Sequence, residues 1–355
     1  MRNISGKIEV LLNKGVVIPD PYNLYISDEV DMDRISGNGV IIYPGCKFYG
    51  SSVLILENAK IGYEGPVTIE NCHVGPGVKL KSGYFKEAVF LKGAKLGSGS
   101  HVREGTILEE EASIAHTVGL KQTILFPYVT LGSLINFCDC LMSGGTGRNN
   151  HSEVGSSYIH FNYTPGQDKA TPSLIGDVPY GVMLKEKPIF LGGQGGLVGP
   201  CRLAFGTTIA AGTICRKDEL RPGRLIFGGP ARAGNIPYAP GDNRNIKRIM
   251  NNNIVYISNL IALMEWYSHV RSQFLSAEFP EALLKGMKEK LDSAIAERMK
   301  RLKGFCEKNE QSGGAINKWS EFEKCFTSVA GLEETIPLRD FFQEIITSGI
   351  GKYGN

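Results

Sequence analysis

Phe90, Leu96, Val102, Leu108, Ile114 and Leu120 recur at every sixth residue without a break. An amphipathic helix repeats its apolar positions at offsets of three and four, and a half-buried strand at two, so neither element generates a period of six. A parallel β-helix does, because each six-residue segment forms one face of a coil and sends one aliphatic side chain into a shared interior. The same beat returns at Leu191, Leu197, Leu203, Ile209 and Cys215, and earlier at Tyr49, Ile55, Ile61, Val67 and His73. Small residues follow several inward ones, as in Ile61-Gly62, Leu96-Gly97, Leu131-Gly132, Val154-Gly155 and Ile209-Ala210. A tight corner between faces needs that room. The expected fold is therefore mainly β, a parallel β-helix of hexapeptide repeats.

A solenoid grows by stacking coils, so 355 residues suit one long solenoid with an accessory region. Residues 1–38 read as a lead-in, broken at Pro19-Asp20-Pro21, and residues 39–235 as the β-helix. After Gly241 the pattern changes. Ile246, Met250, Ile254, Ile257, Ile261 and Met264 follow helical offsets, as do Leu284, Met287, Leu291, Ile295, Met299 and Leu302, and then Leu338, Phe341, Phe342, Ile345 and Ile346. Residues 241–355 are thus expected to form a helical domain. Three stretches leave the six-residue beat: Ser143–His151, Thr164–Ser173 and Val178–Pro188. They read as loops projecting from the coils, where repeat proteins tend to carry binding groups.

Net charge is +3, with acidic and basic residues interspersed, so no nucleic-acid stripe is expected. The eight cysteines form no C-x-x-C pair and no zinc-finger spacing. They read as small buried hydrophobes in a reducing compartment, with no metal required. Glu9, Asn13 and Lys14 interrupt the apolar run near the N-terminus, and no window has the length of a membrane span. A soluble, cytoplasmic protein without a membrane partner is the expectation.

Three stretches, AHTVGLKQTILFPYVTLGSLINFCDC (Ala115–Cys140), HFNYTPGQDKATPSLIGD (His160–Asp177) and GTTIAAGTICRKDE (Gly206–Glu219), carry a family resemblance. They resemble the left-handed β-helix acyltransferases, and among them the acetyltransferase half of the bacterial bifunctional enzymes that make UDP-N-acetylglucosamine. The resemblance runs to about Arg232. It supplies the left-handed sense, against the usual right-handed rule for parallel crossovers. It also implies acetyl-CoA or another acyl-CoA as co-substrate, a sugar-phosphate or nucleotide-sugar ligand, and a homotrimer with sites between neighbours. No motif of the pyrophosphorylase half is found, so pyrophosphorylase activity is not expected of this chain.

Carried over residue by residue, Arg103, Lys121 and Lys169 match the family's cations for the sugar phosphate, with Asn162 and Tyr163 beside them. Gly193, Ala211 and Arg232 match positions that meet the CoA. The departures fall on the chemistry: the family's catalytic histidine aligns with Ser133, its supporting glutamate with Gly119, its tyrosine with Asn136 and a pocket asparagine with Glu153. Acylating an amino sugar needs a base near neutral pH, and a histidine with a pKa of about 6.5 serves. His160 and His151 lead as replacements because the matched pocket surrounds them, with His116 and Glu153 behind. A nucleophilic role for Ser133 is disfavoured, since no base-and-carboxylate pair beside it can be read from the sequence. The resulting expectation is an acyltransferase-like enzyme with altered catalytic residues, acting on a phosphorylated or nucleotide-linked amino sugar. The alternative is a non-catalytic sugar-nucleotide binding or scaffold protein of the same descent.

Overall fold

The computed structural model describes residues 5–164, 166–228 and 246–308, with Trp319 and Glu323. The helix expected around Leu338–Ile346, and Arg232, lie outside the described residues. The six-residue beat closes into a left-handed parallel β-helix of about 11 turns with a helical C-terminal region. Its three faces are ladders of very short parallel strands. On the first face Leu96 pairs with Ile114, then Leu131, Val154, Leu191 and Ile209 on successive coils. On the second, Phe85, Val102, Leu120 and Phe137 stack in register. On the third, Val74, Phe90, Leu108, Leu125, Met142, Ile175 and Leu203 do so. All these side chains are buried in one continuous interior.

In the early coils the expected phase slips. Phe48 points inward rather than Tyr49, and Val74 rather than His73. The second-face strand Val67–Glu70 buries both Val67 and Ile69, and this extra step breaks the six-residue count before Leu80. Of the three departures from the beat, 143–151 and 176–188 leave at the corner from the third face to the first. The segment 162–172 leaves at the corner from the second to the third. Arg148 fastens the first of these loops to the first face, donating to Ser113 Oγ at 3.1 Å and to Glu111 Oε2 at 3.1 Å.

The three faces differ on their outer sides, and that difference decides where the helices go. The first presents Lys60, Lys79, Lys95, Ser113 and Thr130. The third presents Leu54, Val89, Ile107, Ile124, Leu141 and Leu174, apolar outside as well as inside. A strand apolar on both sides must be covered on both. The covering elements are α3 (Ile246–Glu265) and α4 (Glu281–Lys308), counted after α1 (Gly6–Asn13) and the single turn α2 (Val178–Gly181). Tyr256, Leu260, Leu263, Leu283, Met287 and Leu291 bury the third face's outer row in one cluster.

Polar contacts fix the register of these helices on the coils. Lys290 donates to Glu87, Arg298 pairs with Asp139 at 2.9 Å, and Asn259 accepts from the Val178 N–H at 2.8 Å. The Arg298–Asp139 pair is 3% and 6% exposed, so loss of either partner strands a buried charge. At the far end Tyr267 donates to Glu109 at 2.5 Å and Arg271 pairs with Glu110. Burial pushes the Glu109 carboxyl up to about 7, against the pull of Arg271.

Two outcomes follow from this docking. Glu109 is raised in the folded protein, so its protonated form adds stability that is complete below the ordinary value of 4.5 and is lost as pH rises through about 7. His73 and His160, both lowered to about 4 by burial, act with the opposite sign, losing stability as pH falls. The melting temperature of Glu109→Gln should therefore gain on the parent between pH 4.5 and 7 and run parallel to it above; a constant offset would show that Glu109 titrates normally. Gly286 of α4 lies directly on His73, where an added Cβ would stand 1.9 Å from Nδ1. Gly286→Ala should cost roughly 1–3 kcal/mol in denaturant unfolding, and His73→Ala in the same chain should recover most of it.

Candidate functional site

The corner from the first face to the second carries one short segment per coil: Gly97–Gly99, Ala115–Thr117, Gly132–Leu134, Gly155–Ser157, Gly192–Gln194 and Ala210–Gly212. Each such turn needs one residue in the left-handed region, filled by Gly99, Thr117, Leu134, Ser157, Gln194 and Gly212 with φ between 52° and 73°. The residue before it points outward and stacks along the rod. His116, Ser133, Ser156, Gly193 and Ala211 therefore form one column, although insertions separate them unevenly in sequence. The spine is continuous: Cβ atoms added at Gly132, Gly155 and Gly192 would meet the corners above them.

Within this column the His116 ring and Ser133 are hydrogen-bonded, Nδ1 to Oγ at 2.8 Å, and the Ser133 N–H donates to Ser156 Oγ at 3.1 Å. His116 is exposed and Ser133 half-buried. Ser133, where the sequence resemblance led to the expectation of a catalytic histidine, thus touches a histidine from the coil below. If the ring donates Nδ1–H to Ser133, Nε2 keeps a lone pair toward solvent; the reverse tautomer leaves a polarised serine hydroxyl. Both are proton-transfer arrangements.

The open second face adjoins this corner. Its strands bring His101, Gly119, Asn136, Ile159, Gly196 and Ile214 into one outer row. Arg103 and Lys121 lie side by side in the next row, since the Arg103 N–H donates to the carbonyl of Leu120. Lys121 pairs with Glu104 at 2.6 Å, and the ammonium helps hold the Glu104 carboxyl below its ordinary value against burial. Asn136 is exposed and accepts from the Cys138 thiol. Arg103, Lys121, Ser133 and Asn136 thus share one accessible surface with His116.

Other sequence candidates fall elsewhere. His160 corrects the expectation: its ring is 3% exposed, bonded through Nε2 to Ser173 Oγ at 2.8 Å, and lowered to about 4 by burial. It fills the wall and meets no solvent-facing surface. His151 lies on the first face, 3.7 Å from Glu153, whose strand Glu153–Val154 precedes the corner. Asn162, Tyr163 and Lys169 sit on the loop at the corner from the second face to the third. Tyr163 is 81% exposed there, and Arg298 and Lys308 of α4 donate to the carbonyls of Lys169 and Gly166. Gly193 and Ala211 lie on the His116 column. The signal that singles out His116 was present in the sequence, because it lies 17 residues before Ser133, one coil away.

Among the described residues no group of three His, Cys, Asp or Glu is placed to hold a metal, and no helix is long and apolar enough to cross a membrane. A hollow of about 460 Å³ between the 176–188 segment, Arg202, Phe205 and α3 lies beside the third face, away from the His116 column.

No protein-family model matches the chain. By sequence it is similar to the bifunctional protein GlmU of Thermotoga maritima, 30% identical over 213 residues, covering 60% of this chain and 42% of that protein. The bifunctional protein GlmU of Pelobacter propionicus is 29% identical over 209 residues, covering 59% and 40%. The chain thus spans about two fifths of the length of these relatives. Of solved structures, the UDP-N-acetylglucosamine O-acyltransferase (LpxA) of Moraxella catarrhalis aligns over 79% of this chain and 95% of its own, at 13% identity and a TM-score of 0.24. That score is too low to add to the coil architecture itself. The repeat, the coils and the sequence match together make this chain a hexapeptide-repeat β-helix protein related to the bifunctional GlmU proteins.

Proposed function

We propose that the chain is an acyltransferase that moves an acyl group from acyl-CoA to the amine of a phosphorylated or nucleotide-linked amino sugar, with His116 as its base. The observation that carries this reading is the 2.8 Å contact between His116 Nδ1 and Ser133 Oγ on the exposed corner. The family resemblance puts a catalytic histidine at Ser133, and the neighbouring coil returns a histidine to the same spot. In this assignment Ser133 accepts from Nδ1–H and fixes the ring, as a hydrogen bond to one imidazole nitrogen sets the role of the other. Nε2 takes a proton from the sugar amine as its nitrogen attacks the thioester carbonyl. The C–N bond forms, the C–S bond breaks, and the imidazolium returns its proton to the leaving CoA thiolate.

The remaining assignments rest on the same surface. Arg103 and Lys121 offer charge-assisted donors to the acceptor's phosphate. Gly193 and Ala211 continue the His116 column up the rod and, lacking bulky side chains, suit the approach of the CoA arm. Arg232, Asn162, Tyr163 and Lys169 keep the ligand roles that the resemblance implies. The homotrimer and the cytoplasmic setting belong to the same proposal. Its physical support is the second face, where Ile159, Phe161 and Ile214 are each about 40% exposed in one patch. The helices already occupy the third face, so two faces per chain are left for side-by-side packing of copies.

His116→Ala should lower acetyl-CoA turnover by roughly 10²–10⁴, the size of a general-base contribution, with acceptor affinity nearly unchanged. Ser133→Ala should act less strongly, and His160→Ala on stability alone. Full activity in His116→Ala would overturn the assignment. Acceptor binding with no turnover by any common acyl-CoA in the parent protein would replace the enzyme by the binding-protein alternative. Sedimentation should give three times the 38.7 kDa chain mass, and Ile159→Lys with Ile214→Lys should release monomers; a monomeric parent at micromolar concentration removes the trimer.

A further inference from the structure

Between the second face and α4 lies a crevice of about 440 Å³, a volume in the range of ligand pockets. Glu104, Lys121 and Gln122 line it from the coils, and Glu297, Lys300 and Arg301 from the helix. Its charges are not balanced. Lys121 is matched by Glu104 at 2.6 Å and Arg301 by Glu297 at 2.7 Å. Lys300, and Arg103 on the coil beside Lys121, have no carboxylate within ion-pair distance among the described residues. Among the lining residues three cations (Lys121, Lys300 and Arg301) face two carboxylates, a surplus of one positive charge on the helix wall, with the unpaired Arg103 on the coil beside Lys121. Gln122 adds a second, independent sign of a missing partner: it is 5% exposed, and its Oε1 accepts no hydrogen bond. A buried acceptor without a donor is costly, and a ligand hydroxyl or ring N–H relieves that cost.

A single phosphoryl group seated on Arg103 and Lys121 satisfies the sheet wall and leaves the helix wall empty. Two linked phosphoryl groups reach both. We propose that this crevice seats the diphosphate of a nucleoside-diphosphate sugar, so that Lys300 and Arg301 of α4 select a nucleotide-linked acceptor over a sugar monophosphate. The proposal rests on the acyl-transfer reading above and narrows its acceptor. The sheet cations take the phosphoryl group next to the sugar, and the helix cations take the one next to the nucleoside. The helix that covers the apolar third face thereby contributes to binding along its adjoining edge.

The test is calorimetric titration of the full chain with UDP-glucosamine and with glucosamine 1-phosphate, for the parent, Lys121→Ala, and Lys300→Ala with Arg301→Ala. Lys300 is exposed and, among the described residues, Arg301 makes its ion pair with Glu297 of its own helix, so equal melting temperatures should show that the double variant is folded. The expected result is a loss of about tenfold or more in affinity for the UDP-sugar in the double variant, the scale of one charge-assisted hydrogen bond. Glucosamine 1-phosphate binding should stay within about twofold on the same scale. Lys121→Ala should weaken both ligands. Equal weakening of both by the double variant, or no change in either, overturns the assignment of the helix wall to a second phosphoryl group. If the parent acylates glucosamine 1-phosphate but does not bind the UDP-sugar, this inference fails while the acyl-transfer reading stands. If the parent binds and acylates neither, both fail.

Discussion

One inward aliphatic side chain per six residues is the constraint on which the rest of this molecule depends. Because Phe90, Leu96, Val102 and their successors are completely buried, the phase of every coil is fixed to within one residue. A slip of one position would turn the interior row toward solvent, as in any strand with period-two alternation. The early coils show what the constraint tolerates: Val67–Glu70 lengthens by a step and the row recovers at Val74 and Leu80. With the phase fixed, outward positions become columns, and columns are the means by which a rod of short strands assembles a site.

The two corners that flank the second face use this in different ways. At the first, exposed small and polar residues stack, and the His116–Ser133 contact arises simply because one coil separates them. At the second, Glu87 and Asp139 take ion pairs from Lys290 and Arg298, so α4 is anchored at two points along the rod. The cost of burying the Arg298–Asp139 charges is offset only while both partners are present, which makes this anchor sensitive to register. A single face, left uncovered between these corners, then holds the hydrogen-bonded His116–Ser133 pair along one edge and the cations Arg103 and Lys121 along the other. Its exposed apolar residues, Ile159, Phe161 and Ile214, lie farther along the rod.

The loops are less free than their composition suggests. Ser143–His151, rich in glycine, is held to the first face by Arg148, whose guanidinium also lies over the Tyr128 ring at 5.7 Å. Such a clamp accounts for the polar composition without a ligand. The 162–172 loop is likewise engaged by the end of α4 through Arg298 and Lys308. Helix and loop are thereby joined, so α4 is fastened along the side of the rod rather than at its end alone.

The sequence by itself determined the repeat, the inward row from Phe90 to Leu120 and the helical character of the C-terminal region, because periodicity is a local property of neighbouring residues. It also grouped Arg103 with Lys121, and the fold sets the two side by side on adjacent coils. The 17-residue step from His116 to Ser133 is also in the sequence, but to read it as one coil requires the number of residues in each coil, which the fold supplies. That number is 17 from Ile114 to Leu131 but grows where loops are inserted before Val154 and Leu191. His160, chosen for its place near a matched motif, proved to be a wall residue because its strand alternates inward at that position. The docking of α3 and α4 was decided by tertiary packing alone. The outer row Val89, Ile107, Ile124 and Leu141 announces a covered face, but only the folded chain can show that the cover comes from residues more than 100 positions later. The reason is physical: burial of an outer face is a contact between distant segments, and no local pattern names the partner.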